Sequence, residues 1–161
     1  MKGNADSLRL KSSAHELNKV ESLVEALADK YYLNDTYFAN IMVALTEAFN
    51  NALVHGNKKD PSKGITLNFS ITDKEMIFEV CDEGDGFDHL MFLNTRHDEN
   101  MRGIELIQSV SDKIEFSDNG RCISIHFNVA SVNSQISQGR MTAFGQKTDA
   151  KLKQEDETTR N

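Results

Sequence analysis

Apolar residues alternate over 7–11, with Leu8 and Leu10 on one side and Ser7, Arg9 and Lys11 on the other, which predicts a short strand. The period then changes. Leu17, Val20, Val24, Leu27 and Tyr31 recur at helical spacing behind Ser13 and Glu16, a capping-box pair, so a helix is predicted over 14–32. Asn34-Asp35 breaks it and offers a new N-cap. Over 36–55 the spacing is again helical: Ile41, Met42, Leu45, Phe49, Ala52 and Leu53 share one face, while Glu47, Asn51 and His55 stand together on the other at i, i+4 and i+8.

The stretch 57–64, holding Pro61 and Gly64, reads as a loop. Alternation returns over 65–71 and 76–81 around a Thr72-Asp73-Lys74 turn, a hairpin pattern. A glycine-bearing acidic stretch follows at 82–88, then a less regular connection over 89–101. Arg102-Gly103 reads as the opening of a third helix, marked by Ile104, Leu106, Ile107 and Val110. Ile114 and Phe116, an Asp118-Asn119-Gly120 turn and 122–129 supply two more strands. The order β-α-α-β-β-loop-α-β-β predicts an α+β fold, a two-layer α/β sandwich with a mixed, largely antiparallel sheet packed on helices. Residues 1–130 form the domain. Residues 131–161, rich in Ser, Gln, Thr, Asn and Lys, read as a polar, flexible tail.

Composition narrows the function classes. With 39% apolar residues in 161 the chain sustains a core, and no apolar run approaches the roughly 20 residues of a membrane helix. The net charge is 18 − 25 = −7, and the one basic cluster, Lys58, Lys59 and Lys63, is interrupted by Asp60. Nucleic acid is therefore not expected as the main ligand, since phosphate neutralisation dominates that affinity. Cys81 and Cys122 are too few for a disulfide scaffold or a zinc cluster. They are read as core residues of a reduced, cytoplasmic protein.

Three features carry candidate chemistry: the Glu47/Asn51/His55 face, the Asp82-x-Gly84-x-Gly86 turn, and Arg102-Gly103. Glycine at 84 and 86 admits positive φ and close approach of a ligand to the backbone. A helix opening at Gly103 would present free amides to phosphate. In this order and spacing they resemble the boxes of the GHKL (Bergerat-fold) ATPases. EAFNNALVHG over 47–56 is similar to their N-box, 82–86 to the first glycine box, and Arg102-Gly103-Ile104-Glu105-Leu106-Ile107 to the second. The EAxxNAxxHG form and the compact chain resemble most the bacterial anti-sigma factor serine kinases, over residues 6–129.

The resemblance implies ATP and Mg²⁺ as cofactors. Glu47 would be the general base, Asn51 the magnesium ligand, and Asp82 the acceptor of the adenine amino hydrogen. Gly84 and Gly86 would close over the base, with Arg102 and Gly103 by the phosphates. His55 would either take part in the same site or pack at the end of the helix. The implied partners are a small antagonist protein, phosphorylated on serine or threonine, and a sigma factor, with a homodimer through the edge-like first strand. Three departures stand against the family pattern: Met101 where the second box has its first glycine, a short connection over 87–101, and Arg121 where relatives carry an adenine-holding threonine. They predict a restricted phosphate loop. Two other readings remain: an interaction module of the same fold with weak or absent turnover, and a detached histidine kinase ATPase domain.

Overall fold

The structure, a computed structural model, describes residues 5–86 and 99–128. The 87–98 connection, the side chain of Met101 and the 131–161 tail lie outside the described residues. Strand β1 (Ala5–Lys11) leads through a short 3-10 turn (Ala14–Glu16) into α1 (Leu17–Tyr31). Helix α2 (Asp35–Asn51) follows and ends in a π turn (Ala52–Gly56). Then come β2 (Gly64–Ile71), β3 (Glu75–Cys81), α3 (Glu99–Val110), β4 (Lys113–Ser117) and β5 (Cys122–Asn128).

The strands form one sheet in the order β1-β2-β3-β5-β4. Its four pairings are all antiparallel, so the sheet is not mixed among the described residues. The expected hairpins are present, and β1 is an edge strand. The α+β class stands as read. No helix among the described residues is long and apolar enough to cross a membrane.

One face of the sheet carries the core. Val20, Val24 and Leu27 of α1 and Ile41, Leu45 and Phe49 of α2 join Leu67, Phe69, Phe78 and Ile125 of the strands in one buried cluster. Phe69 and Phe78 stand opposite in the β2–β3 register, and with Tyr31 and Phe127 they make a row of rings 5.0 to 6.1 Å apart across the sheet. Burial on this scale, at roughly 25 cal/mol per Å² of apolar surface, is what holds the helices in place. The opposite face is polar: Ser7 donates to Asn68, and Asn68 and Ser124 both donate to Glu79, linking four strands.

Local signals were read with mixed success. The Asn34 side chain accepts from Tyr37 N–H at 2.9 Å and caps α2 as its position predicts. Ser13 makes no side-chain cap; Glu16 instead accepts from Lys11 N–H at 3.1 Å, tying β1 to the helical segment. The regular helix therefore starts at Leu17 rather than 14. Helix α3 begins at Glu99, so Arg102-Gly103 lies inside it and does not open it. The cysteines are also corrected. Cys122 is buried as read and Cys81 is half-buried, but the two are register partners across β3 and β5 and form a disulfide instead of the reduced pair expected.

Candidate functional site

A cavity of about 290 Å³ opens between α2, the end of the sheet and α3. Ala48, Ala52, Val80, Ile104, Phe116 and Ile123 give it apolar walls, and Asn51, His55, Asp82 and Arg121 supply the polar groups. An apolar slot with a few convergent polar atoms suits a flat heteroaromatic ligand. Of the residues expected at the site, Asn51, Asp82 and Gly86 line it.

The Asp82 end is tightly built. Asp82 leaves β3 with its N–H donated to Arg121 carbonyl at 2.9 Å, and its Oδ1 accepts from Gly84 N–H at 2.8 Å. The carboxylate sits against Gly56 at the end of the π turn, where a Cβ would fall on its oxygens. Gly84 packs on the Gly56 carbonyl in the same way, so a side chain at either position would push the two segments apart. Gly84 serves by close approach and has no positive φ; Gly86 does, at +79°, and rests on the Asn119 carbonyl.

Desolvation raises the Asp82 pKa above its ordinary value, against the lowering effects of Gly84 N–H, Arg121 and Lys63. Its neighbour Glu83 moves the other way, held down by the N–H of Gly64 and by Arg9. A half-buried carboxylate aimed into an apolar slot is a hydrogen-bond acceptor with little competition from water.

Glu47 and Asn51 lie one turn apart on α2, and both reach Gly103 of α3. A Cβ at Gly103 would stand 3.1 Å from Glu47 Oε2 and 3.2 Å from Asn51 Oδ1. Glu47 is half-buried at this crossing, not a solvated surface carboxylate. Gly103 thus admits the Glu47 and Asn51 side chains beneath α3, a role different from the helix opening expected of it. Arg102 is exposed and does not line the cavity.

Neither Glu47 nor Asn51 makes a side-chain hydrogen bond or ion pair among the described residues. An amide oxygen with no protein partner is a hard donor of the kind magnesium accepts when phosphates and water fill its other positions. That chemistry fits such an ion, which Asn51 Oδ1 would hold if one binds, offsetting phosphate charge.

His55, open between the site and packing at the helix end, lines the cavity. Arg121 lines it too, braced by Asp118 through a 2.8 Å ion pair. Gly56 was read only as the last residue of the 47–56 segment, and Asn57, read as loop, escaped sequence reasoning as a site residue. The signal available was the His-Gly-Asn run closing a helix, ahead of a lysine-rich stretch that reads as loop.

A family described as the histidine kinase-like ATPase domain matches residues 10–127, and the chain belongs to that family. The chain is similar to the serine-protein kinase RsbW of Bacillus subtilis (strain 168), 27% identical over 90 residues. That match covers 55% of this chain and 56% of the relative, so the chain spans about half of it. Among solved structures, the RsbU and RsbW domains of Rv1364c from Mycobacterium tuberculosis share the fold. The TM-score is 0.57 at 16% identity, over 78% of this chain and 32% of that one.

Proposed function

We propose that this chain binds ATP with Mg²⁺ and transfers the γ-phosphate to a serine or threonine of a small antagonist protein in the cytoplasm. It would also hold a sigma factor when unmodified antagonist is scarce. The observation that carries this reading is the meeting of Glu47, Asn51 and Gly103 beside the cavity that Asp82 enters. Similarity to a serine-protein kinase supports the choice of a protein serine as acceptor; the partners are those the resemblance of the boxes implies.

In this reading Asp82 accepts the adenine amino hydrogen, and the apolar walls hold the ring. Gly84 and Gly86 bring the loop close to the base. Asn51 holds the metal, with Arg102 and Gly103 near the phosphates. Glu47 takes the proton of the attacking hydroxyl as the new P–O bond forms and the bond to ADP breaks. Self-association through the β1 edge belongs to the same proposal. So does the division into a domain over 1–130 and a tail beyond it.

The test is transfer of label from γ-labelled ATP to serine or threonine of a small antagonist protein. Wild-type chain should label it, and Glu47→Ala, folded by circular dichroism, should not. Equal labelling by both would remove Glu47 from its role.

One observation favours an interaction module instead. Helix α3 begins at Glu99 and lays Gly103 on Glu47 and Asn51, where phosphates would approach. A thermal shift with ATP that needs magnesium and is lost in Asn51→Ala supports the kinase reading. No shift at millimolar nucleotide supports the module.

A further inference from the structure

Asn57 follows the π turn and is fully buried. Its side chain is completely engaged. Nδ2 donates to Ser12 Oγ at 2.7 Å and to Gly64 carbonyl at 2.9 Å, and Oδ1 accepts from Glu83 N–H at 2.8 Å. Its own N–H donates to Ala52 carbonyl at 2.8 Å, which closes the π turn. Ser12 in turn donates to Lys63 carbonyl at 2.8 Å. One amide therefore joins the end of β1, the start of β2, the end of the α2 segment and the loop after β3.

The bond to Glu83 N–H is the one that reaches the candidate site. Gly56 and Asn57 are consecutive, as are Asp82 and Glu83. Gly56 touches the Asp82 carboxylate, and Asn57 bonds the next peptide along. These two contacts fix how far the loop advances over the π turn and where the carboxylate points. The Glu83 carboxylate, bonded to Gly64 N–H and to Arg9, holds the same loop from outside. A buried amide with every group satisfied is costly to disturb, because each lost partner leaves another group unpaired.

We infer that Asn57 is a positioning residue for adenine recognition: through Glu83 N–H it sets the Asp82 carboxylate at the base end of the cavity. The inference rests on the ATP-binding reading above. It predicts that cutting this bond weakens ATP and erodes the preference for ATP over GTP, because GTP has no amino hydrogen for Asp82 at that position. A residue with a purely structural role would lower affinity for both nucleotides alike, through the folded fraction.

The experiment is calorimetric titration of ATP and of GTP, each with magnesium, into folded protein. Asn57→Ala should bind ATP about tenfold more weakly, the effect of about one buried hydrogen bond, with the ATP-to-GTP ratio falling by the same factor. Asn57→Asp keeps the acceptor for Glu83 N–H and should restore most of the ratio. Ser12→Ala removes a branch remote from the loop and should lower melting temperature with the ratio unchanged.

If Asn57→Ala does not fold, Glu83→Pro cuts the same bond from the other side, against Glu83→Ala, which keeps the N–H. The ratio should fall in the proline variant only. An unchanged ratio in Asn57→Ala, or in Glu83→Pro relative to Glu83→Ala, overturns the inference while leaving ATP binding intact. Wild-type protein that binds neither nucleotide overturns the ATP reading and this inference with it.

Discussion

The two ends of the cavity are built differently. At the Asp82 end, the loop after β3 is bonded on every side. Asp82 N–H goes to Arg121, its carboxylate takes Gly84 N–H, Glu83 N–H goes to Asn57, and the Cys81–Cys122 disulfide ties the strands directly behind it. At the other end, Glu47 and Asn51 stand beneath Gly103, where a Cβ would crowd both, with no hydrogen bond among the described residues. The first end is pre-organised by the fold. The second holds polar side chains that make no hydrogen bond or ion pair among the described residues.

This contrast fails most visibly if a substitution at one end disturbs the function of the other. The largest expected effect is at the open end. Glu47→Ala should lower phosphotransfer by about 10²- to 10⁴-fold, the usual worth of a positioned base, with ATP affinity nearly unchanged. A comparable loss of ATP affinity would mean that Glu47 belongs to the binding slot.

At the built end, separating the disulfide should lower stability by about 2–4 kcal/mol, since the cross-link spans 41 residues. Denaturant melts of wild type and Cys122→Ser under matched conditions would measure it. Equal midpoints would show that the non-covalent bonds alone hold this end. Asp82→Ala should weaken ATP by about 10- to 100-fold, the range of a hydrogen bond to a charged group, and leave phosphotransfer at saturating ATP within a few-fold.

The smallest effect is the dependence on pH, and its sign is opposite for binding and folding. Burial raises the Asp82 pKa, so its protonated form is the one the fold favours. Its contribution to stability is present below the unfolded value of 3.8 and is lost as pH rises through the raised folded value. Adenine recognition requires the ionised acceptor, so ATP affinity should fall as pH drops through that raised value, earlier than for an ordinary aspartate. Asp82→Asn should flatten both profiles, read by ATP titration and by denaturant melts across pH 4–7. A wild-type affinity that stays level over this range would place the base elsewhere.

The helical and strand periodicities carried most of the fold, because burial on one face leaves a mark every few residues. Leu8 and Leu10 against Arg9, or Phe69 against Asn68, needed no partner to be read. The convergence of Glu47, Asn51 and the Asp82 turn on one candidate site was legible, because chemistry and spacing coincide there. What stayed hidden depends on contacts distant in sequence. Ser13 and Glu16 have capping-box spacing, yet Glu16 found Lys11 N–H first. Arg102-Gly103 looks like a helix opening because glycine is a poor helix former, but this glycine is explained by the two side chains beneath it. Asn57 sits among Lys, Asp and Pro in what reads as a solvated loop, and its burial follows only once Ser12, Gly64 and Glu83 converge on it. The disulfide required the β3–β5 register, which no local pattern contains.

The measurement that bears most directly on the two-ended cavity is calorimetric titration of ATP, with and without magnesium, into wild type, Asn51→Ala and Asp82→Asn. Wild type should bind with magnesium enhancement. Asn51→Ala should keep metal-free affinity and lose the enhancement, whereas Asp82→Asn should lose affinity under both conditions. Binding of equal strength in all three proteins, or none in the wild type, would contradict the account.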